Sequence, residues 1–173
     1  AEIPQHIELA LIMVPASSVR EAVKDCAAAG VDVAIVMSSG FGEVDPDGQI
    51  AQQELVDIAR ADGMRLVGPN CIGSVGGAHR VMATFSPVFS SESTPLPAGN
   101  VALVSQSGAL GFGALSLGLE RGVPIGIAIT TGNEADVTAT EVAAQLAQDP
   151  EVDAVVMYVE SLGNMDQLIE VAG

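Results

Sequence analysis

The sequence predicts an α/β protein with two parallel-sheet units. Short β-branched apolar runs alternate with amphipathic stretches, helix-stop and helix-start residues stand between them, and the connections are short. Strands and helices in that order form parallel sheets wound by right-handed crossovers. The strands are expected at Glu8–Val14, Asp32–Ser39, Met64–Gly68, Asn100–Ser105, Pro124–Thr131 and Val152–Glu160. They read as continuous apolar runs, as strands covered on both faces do.

The helices between them carry their own punctuation. Ser18 with Glu21 has the spacing of a capping box, Val19, Ala22, Val23, Cys26 and Ala27 form the apolar stripe, and Gly30 stops it. Ala51, Leu55, Ile58, Ala59 and Asp62 recur at helical spacing before Gly63. Thr138 with Glu141 repeats the capping box, ahead of Val142 and Leu146, and Pro150 closes that helix. A further capped helix is expected to begin in 164–173. Residues 74–99 have three prolines, many Gly and Ser, and no clean period, so they read as a segment crossing between units. The expected organisation is a first unit at 1–80, a linker at 81–98 and a second unit at 99–173, both units incomplete, with both chain ends looking cut.

Composition narrows the function. The net charge is −16, from 22 acidic against 6 basic residues, and Arg20, Lys24, Arg60, Arg65, Arg80 and Arg121 are scattered singly. Nucleic acid and acidic membranes need concentrated positive charge, so neither is expected as a partner. Aromatic residues are 3 % of the chain, too few to form stacking platforms for bases. No apolar run nears the ~20 residues of a bilayer span, and the start lacks a basic segment before its apolar run. Cys26 and Cys71 have no paired spacing, which fits a reducing, cytoplasmic setting and no disulfide framework. No Cys/His pair has ligand spacing, so no metal is expected.

Several loops follow predicted strands, where parallel sheets bind ligands. In 99-GNVALVSQSGALG-111 a buried strand ends at Ser105, and Ser107-Gly108 turns into a helical run. Helix N-terminal N–H groups favour an anion there; Ser105, Gln106 and Ser107 add donors, and Gly108 lets a phosphate approach the backbone. The plainer alternative is an ordinary turn with Ser107 as N-cap. In 68-GPNCIGSVG-76 the backbone is fixed around Asn70 and Cys71, displayed at the sheet edge. Asn70 suits a polar substrate contact. Cys71 lacks a histidine to activate it, since neither His6 nor His79 has a motif context. Ser38, Ser39 and Gly40 end another strand, as do Gly132, Asn133, Glu134 and Asp136, and Glu160 ends the last. The phosphate-loop and dinucleotide-binding glycine patterns are both missing.

Taken in order, VPA at 14–16, SSGFGE at 38–43, RLVGPNCIG at 65–73, ATFSP at 83–87, GNVALVSQSGALG at 99–111, GNEADV at 132–137 and YVES at 158–161 resemble the NDP-forming acyl-CoA synthetase superfamily, which includes the succinyl-CoA synthetase α subunit. The resemblance is closer to its acetate- and aryl-type members, and Phe112 stands where the succinate enzymes have tyrosine. It implies a Rossmann-like CoA-binding unit followed by a flavodoxin-like unit. It also implies a ligase that interconverts acid, CoA and ATP with acyl-CoA, ADP and phosphate, through an acyl phosphate and a phosphohistidine. By resemblance, Ser105, Gln106, Ser107 and Gly108 cradle that phosphohistidine and Glu160 orients its imidazole. Val14, Pro15, Ala16, Met37, Ser38 and Ser39 would line CoA, and Asn70, Cys71, Phe112, Asn133 and Glu134 the acyl substrate. ATP or ADP, with magnesium, would sit on an ATP-grasp domain or β subunit, in an oligomeric assembly.

The family's pyrophosphate loop is expected upstream of residue 1 and its histidine downstream of residue 173, so this stretch alone is expected to be inactive. The alternative is a CoA-sensing regulatory domain of a protein acetyltransferase. A flavodoxin-like electron carrier is disfavoured by the lack of tryptophan and the single tyrosine, Tyr158.

Overall fold

A computed structural model describes residues 6–78, 80–89, 98–161 and 169. The chain divides into two compact units: Ala1–Cys71 completed by Asn133–Val137, and Ile72–Gly132 with Thr138–Gly173. As compact units the two parts divide at Cys71/Ile72, because residues 73–84 pair with the second sheet. The helix expected in 164–173 lies outside the described residues, Ile169 apart, as does His79.

The first unit runs β1 (Leu9–Ile12), α1 (Ala16–Ala28), β2 (Val33–Val36), α2 (Pro46–Ala61) and β3 (Arg65–Val67), with a parallel sheet in the order β1-β2-β3. Val19, Val23 and Ala27 of α1 and Leu55 and Ala59 of α2 pack with Ala34, Val36 and Leu66 of the strands. Gly30 and Gly63 take φ of +73° and +80° just past the two helices, the left-handed turn that ends a helix cheaply only at glycine. The capping box at Ser18 does not form. α1 starts at Ala16 with Pro15 as its N-cap, and the Ser18 N–H donates to the Pro15 carbonyl at 2.8 Å, inside the first turn. α2 is capped by Asp45, whose carboxylate accepts from the Gly48 N–H at 2.7 Å, with Pro46 opening the helix. β1 is also less covered than its apolar run implied: Leu9 and Leu11 are exposed.

Residues 133–137 run along the free side of β3. The N–H groups of Asn133, Ala135 and Val137 donate to the carbonyls of Pro69, Gly68 and Leu66. Asp136 anchors this segment. Its side chain has no exposure, and its two oxygens accept from Arg60 Nε at 2.9 Å, Arg65 Nε at 2.9 Å and the Leu66 N–H at 2.8 Å.

The second unit contains β4 (Gly73–Gly76), β5 (Val81–Thr84), a 3-10 turn at Pro87–Phe89, β6 (Val101–Ser105), α3 (Gly108–Glu120), β7 (Ile125–Thr130), α4 (Ala139–Leu146) and β8 (Ala154–Tyr158). Its sheet has the order β5-β4-β7-β6-β8. β6 lies parallel between β7 and β8, whereas β4 is antiparallel to both β5 and β7. The sheets are thus mostly parallel, as expected, with the β4–β5 hairpin as the antiparallel addition. The β4–β5 hairpin comes from the stretch without period: GSVG offers one apolar side chain, so ladder bonding to β7 and not hydrophobic alternation makes it a strand. Val75, Leu103, Phe112, Leu115, Ile125 and Ala128 form the core. The Thr138 cap is present, its Oγ1 accepting from the Glu141 N–H at 3.1 Å, although α4 ends at Leu146, before Pro150.

Burial pushes the Asp136 carboxyl up, but Arg65, the Leu66 N–H and Arg60 pull harder and hold it below the usual aspartate range. A depressed folded value adds stability above the unfolded value of about 3.9 that is lost as pH falls through the folded one. Asp136→Asn should therefore cost about 2–3 kcal/mol at neutral pH and flatten the acid limb of a melting-temperature–pH profile. A variant that melts like the parent chain at pH 7 would show that the cluster does not anchor the segment.

Candidate functional site

At the carboxyl edge of the first sheet, three loops are tied together by main-chain contacts. Ser38 Oγ donates to the Val14 carbonyl at 2.6 Å, and the Asn70 N–H donates to the Ser38 carbonyl at 3.0 Å. Val14, Pro15, Ala16, Ser39 and Asn70 are exposed there, while Met37 is buried. Pro15 gives α1 no side-chain cap, so the first N–H groups of the helix face the same edge without a capping side chain. Asn70 adopts φ +61°, a left-handed conformation that asparagine tolerates better than most residues. Its Nδ2 donates to Asn133 Oδ1 at 3.2 Å, so these two predicted substrate residues do meet. Glu134 also has positive φ, +54°, and is half-buried.

Cys71 is different. It is 1 % exposed and its thiol donates to the Val36 carbonyl at 3.4 Å, so it packs beneath the loop and is not displayed. Two residues that the sequence reading passed over complete this edge. The Glu43 carboxylate accepts from the Gly40 and Phe41 N–H groups and from Asn133 Nδ2, and Gln52 Oε1 accepts from the Gly42 N–H at 3.3 Å and from Asn133 Nδ2 at 2.9 Å. Burial pushes the Glu43 carboxyl up, but the bonds from the Gly40 N–H, Asn133 and the Phe41 N–H hold it below the usual glutamate range. Glu43 does stand inside the SSGFGE motif, but its partner Asn133 is 90 residues away, beyond any local pattern.

In the second unit, β6 is followed by α3 to β7 on one side and, after β7, by α4 to β8 on the other. The chain's direction across the sheet thus switches at β6, and the crevice beyond its carboxyl end is where such sheets bind ligands. The turn at 105–108 occupies that position. Ser105 is fully buried, donating from Oγ to the Ser107 carbonyl at 2.6 Å. Ser107 is the N-cap of α3, accepting from the Leu110 N–H at 3.3 Å. Gln106 is a clamp: its Oε1 accepts from the N–H groups of Glu160 and Ser161 at 2.6 and 3.0 Å, and its Nε2 donates to the Ser161 carbonyl at 2.8 Å. Glu160 is thereby held beside the turn with its side chain exposed, although β8 ends two residues earlier, at Tyr158, and alternates half-buried with exposed residues.

The clamp engages the Gln106 Oε1 and one Nε2 hydrogen with the main chain at 160–161. Phe112, 3 % exposed, is core and not a displayed substrate contact. Gly108 also has a steric reason to be glycine: its φ is not positive, but an added Cβ would meet Ile72 Cγ1 at 2.6 Å. Two apolar grooves of this unit, one including Val101, Leu117 and Arg121 and the other Val75, Ile127 and Leu146, contain none of residues 105–108.

Residues 1–77 match the family described as CoA binding domain, and residues 98–173 match the succinyl-CoA ligase like flavodoxin domain. The chain is 36 % identical over 171 residues to the α subunit of acetate–CoA ligase (ADP-forming) II of Pyrococcus furiosus, covering 99 % of this chain and 36 % of that one. The chain belongs to the α-type region of the NDP-forming acyl-CoA synthetases. It is also 31 % identical to 4-hydroxybutyrate–CoA ligase (ADP-forming) of Nitrosopumilus maritimus, covering 98 % of this chain and 24 % of that protein. Among solved structures it is similar to the apo form of dinucleotide-forming acetyl-coenzyme A synthetase 1 of Ca. Korarchaeum cryptofilum, with TM-score 0.90 and 33 % identity, over 99 % of this chain and 36 % of that one. A second structure of that enzyme is in complex with phosphate and ADP. The chain thus spans about a third or less of the length of these synthetases.

The Gly108 geometry can be tested on stability. Gly108→Ala should cost about 1–3 kcal/mol through overpacking, and less than about 1 kcal/mol in an Ile72→Ala background, where the offending atoms are gone. Equal cost in both backgrounds would mean that contact with Ile72 is not what demands glycine.

Proposed function

We propose that this chain supplies the CoA-handling and phosphoryl-handling edges of an ADP-forming acid–CoA ligase. The observation that carries the reading is the 105–108 turn at the sheet's switch point, with Glu160 clamped beside it by Gln106. In the overall reaction a carboxylic acid, CoA and ATP are interconverted with acyl-CoA, ADP and phosphate. Phosphate displaces CoA from the acyl group to give an acyl phosphate. A histidine outside this chain takes the phosphoryl group and releases the acid, then passes that group to ADP on an ATP-grasp domain or subunit.

Each edge contributes distinct physical chemistry. The first turn of α3 offers main-chain N–H groups and a positive dipole end to phosphoryl oxygens, with Ser107 Oγ at the same corner. Those donors are fixed before the ligand arrives, so they stabilise developing charge without reorganising. Glu160 supplies the carboxylate that accepts an imidazole N–H, fixes the attacking tautomer and stabilises the charge that builds on the ring. In the first unit, the exposed 14–16 and 38–39 loops and the uncapped start of α1 suit the chemistry of CoA: amides and a thiol on the arm, and phosphates for the helix terminus.

Glu160→Gln should leave ATP binding intact in the complete ligase and lower labelling of the phosphoenzyme by radioactive ATP by about 100-fold or more in rate, the scale of removing one general acid–base group. Equal labelling rates in the two proteins would remove Glu160 from the mechanism. A wild-type ligase that forms acyl-CoA without any labelled intermediate would remove the phosphohistidine.

A further inference from the structure

Three amides and one carboxylate at the edge of the first sheet form a hydrogen-bond chain whose polarity is decided at one end. Glu43 is a carboxylate held below the usual glutamate range, so it only accepts. The Asn133 atom facing it must therefore be Nδ2, and that nitrogen also donates to Gln52 Oε1 at 2.9 Å. Gln52, only 5 % exposed, is itself fixed, because the same Oε1 accepts from the Gly42 N–H. With Nδ2 committed, Asn133 can offer only Oδ1 to its other neighbour, and Asn70 Nδ2 donates to it at 3.2 Å. Asn70 is exposed, is anchored by its main-chain bond to Ser38, and its Oδ1 has no hydrogen-bond partner among the described residues.

We propose that Glu43 is a positioning residue that acts through Asn133 to make Asn70 present a carbonyl acceptor, which takes a hydrogen bond from an N–H or S–H group on the thiol-bearing arm of CoA. This rests on the reading of the first unit as the CoA-handling edge. The arm's amides and terminal thiol are donors, whereas the carboxylate and phosphate groups of the other substrates are acceptors that a carbonyl oxygen would repel. A glutamine at position 43 has one acceptor oxygen where glutamate has two, so it cannot serve both the Gly40–Phe41 N–H groups and Asn133 Nδ2. Turning its amine towards Asn133 would flip that amide, force Gln52 to release the Gly42 N–H and turn its own Nε2 to Asn133 Oδ1, and leave Asn70 facing the ligand with a donor.

Steady-state kinetics of acyl-CoA formation by the complete ligase would test this. Glu43→Gln should raise the KM for CoA about tenfold, the scale of one hydrogen bond made or lost, while the KM for the acid and for ATP stay within about twofold. Asn70→Asp should also raise the KM for CoA, because the introduced carboxylate would face Asn133 Oδ1 across the existing chain. Combining Glu43→Gln with Asn70→Asp reverses the chain from position 43 to position 70, with Gln52 turning its Nε2 towards Asn133 Oδ1 and giving up the Gly42 N–H. The amide introduced at position 43 donates to Asn133 Oδ1, and Asn133 Nδ2 donates to the carboxylate introduced at position 70, which still presents an acceptor to the ligand. The KM of this double variant for CoA should return to within about threefold of wild type. Losses that add in the double variant, or a Glu43→Gln protein with unchanged KM for CoA and only a lower melting temperature, would overturn the relay and leave Glu43 as a loop brace. A wild-type ligase with no CoA-dependent turnover would instead overturn the CoA reading on which the relay rests.

Discussion

The Asp136 carboxylate is wholly buried, and it stays charged there because two guanidinium groups and a main-chain N–H converge on it. Burying a lone carboxylate is prohibitively costly, so the position of this group is tightly linked to its partners. Arg60 comes from the end of α2 and Arg65 from the start of β3, so a single residue of a distant segment fastens both. Its neighbours then fall into register along β3, and Asn133, three residues back, arrives beside Asn70, Glu43 and Gln52. Two of the six basic side chains are engaged in this one contact. In a chain so acidic, few cations remain to bind an anion, which raises the importance of helix termini and main-chain donors.

The two sheet edges solve the same problem with different materials. In the second unit the loops around β6 are pinned mainly through the Gln106 amide, which reads as a ligand donor in sequence and acts as a brace in the fold. Bracing is not a lesser role. A carboxylate such as that of Glu160 is useful to an imidazole only if its main chain cannot wander, and two N–H groups held by one amide oxygen prevent that. In the first unit the corresponding brace is Glu43, a charged acceptor that gathers the turn following Ser39. The consequence is that several residues most easily mistaken for ligand contacts are the ones that aim the contacts.

Departures from the sequence reading share one cause. Periodicity identifies elements that bury a stripe or a face, and α1, α2, α3, β2 and β6 all do so. It has no hold on β4 and β5, whose glycines and small side chains bury little and whose strand character comes from neighbours on the sheet. It also cannot see burial that depends on the opposite side of a loop, which is why Cys71 reads as displayed and turns out covered. Ser18 with Glu21 satisfies the spacing of a capping box, yet Pro15 starts the helix earlier and leaves the serine inside the first turn.

What the sequence determined by itself was the α/β class, the succession of strands and helices, the caps at Thr138 and Ser107, and the stops at Gly30 and Gly63. Each is a local matter of side-chain volume, backbone freedom or a hydrogen bond across three residues. Tertiary structure alone decided the antiparallel hairpin on the second sheet, the return of residues 133–137 to the first, and the meeting of Glu43, Gln52, Asn70 and Asn133. Those contacts join positions up to 90 residues apart. The hairpin exists because a neighbouring strand offers it a ladder, and the return of 133–137 because a buried carboxylate must find its cations; no local rule of spacing encodes either.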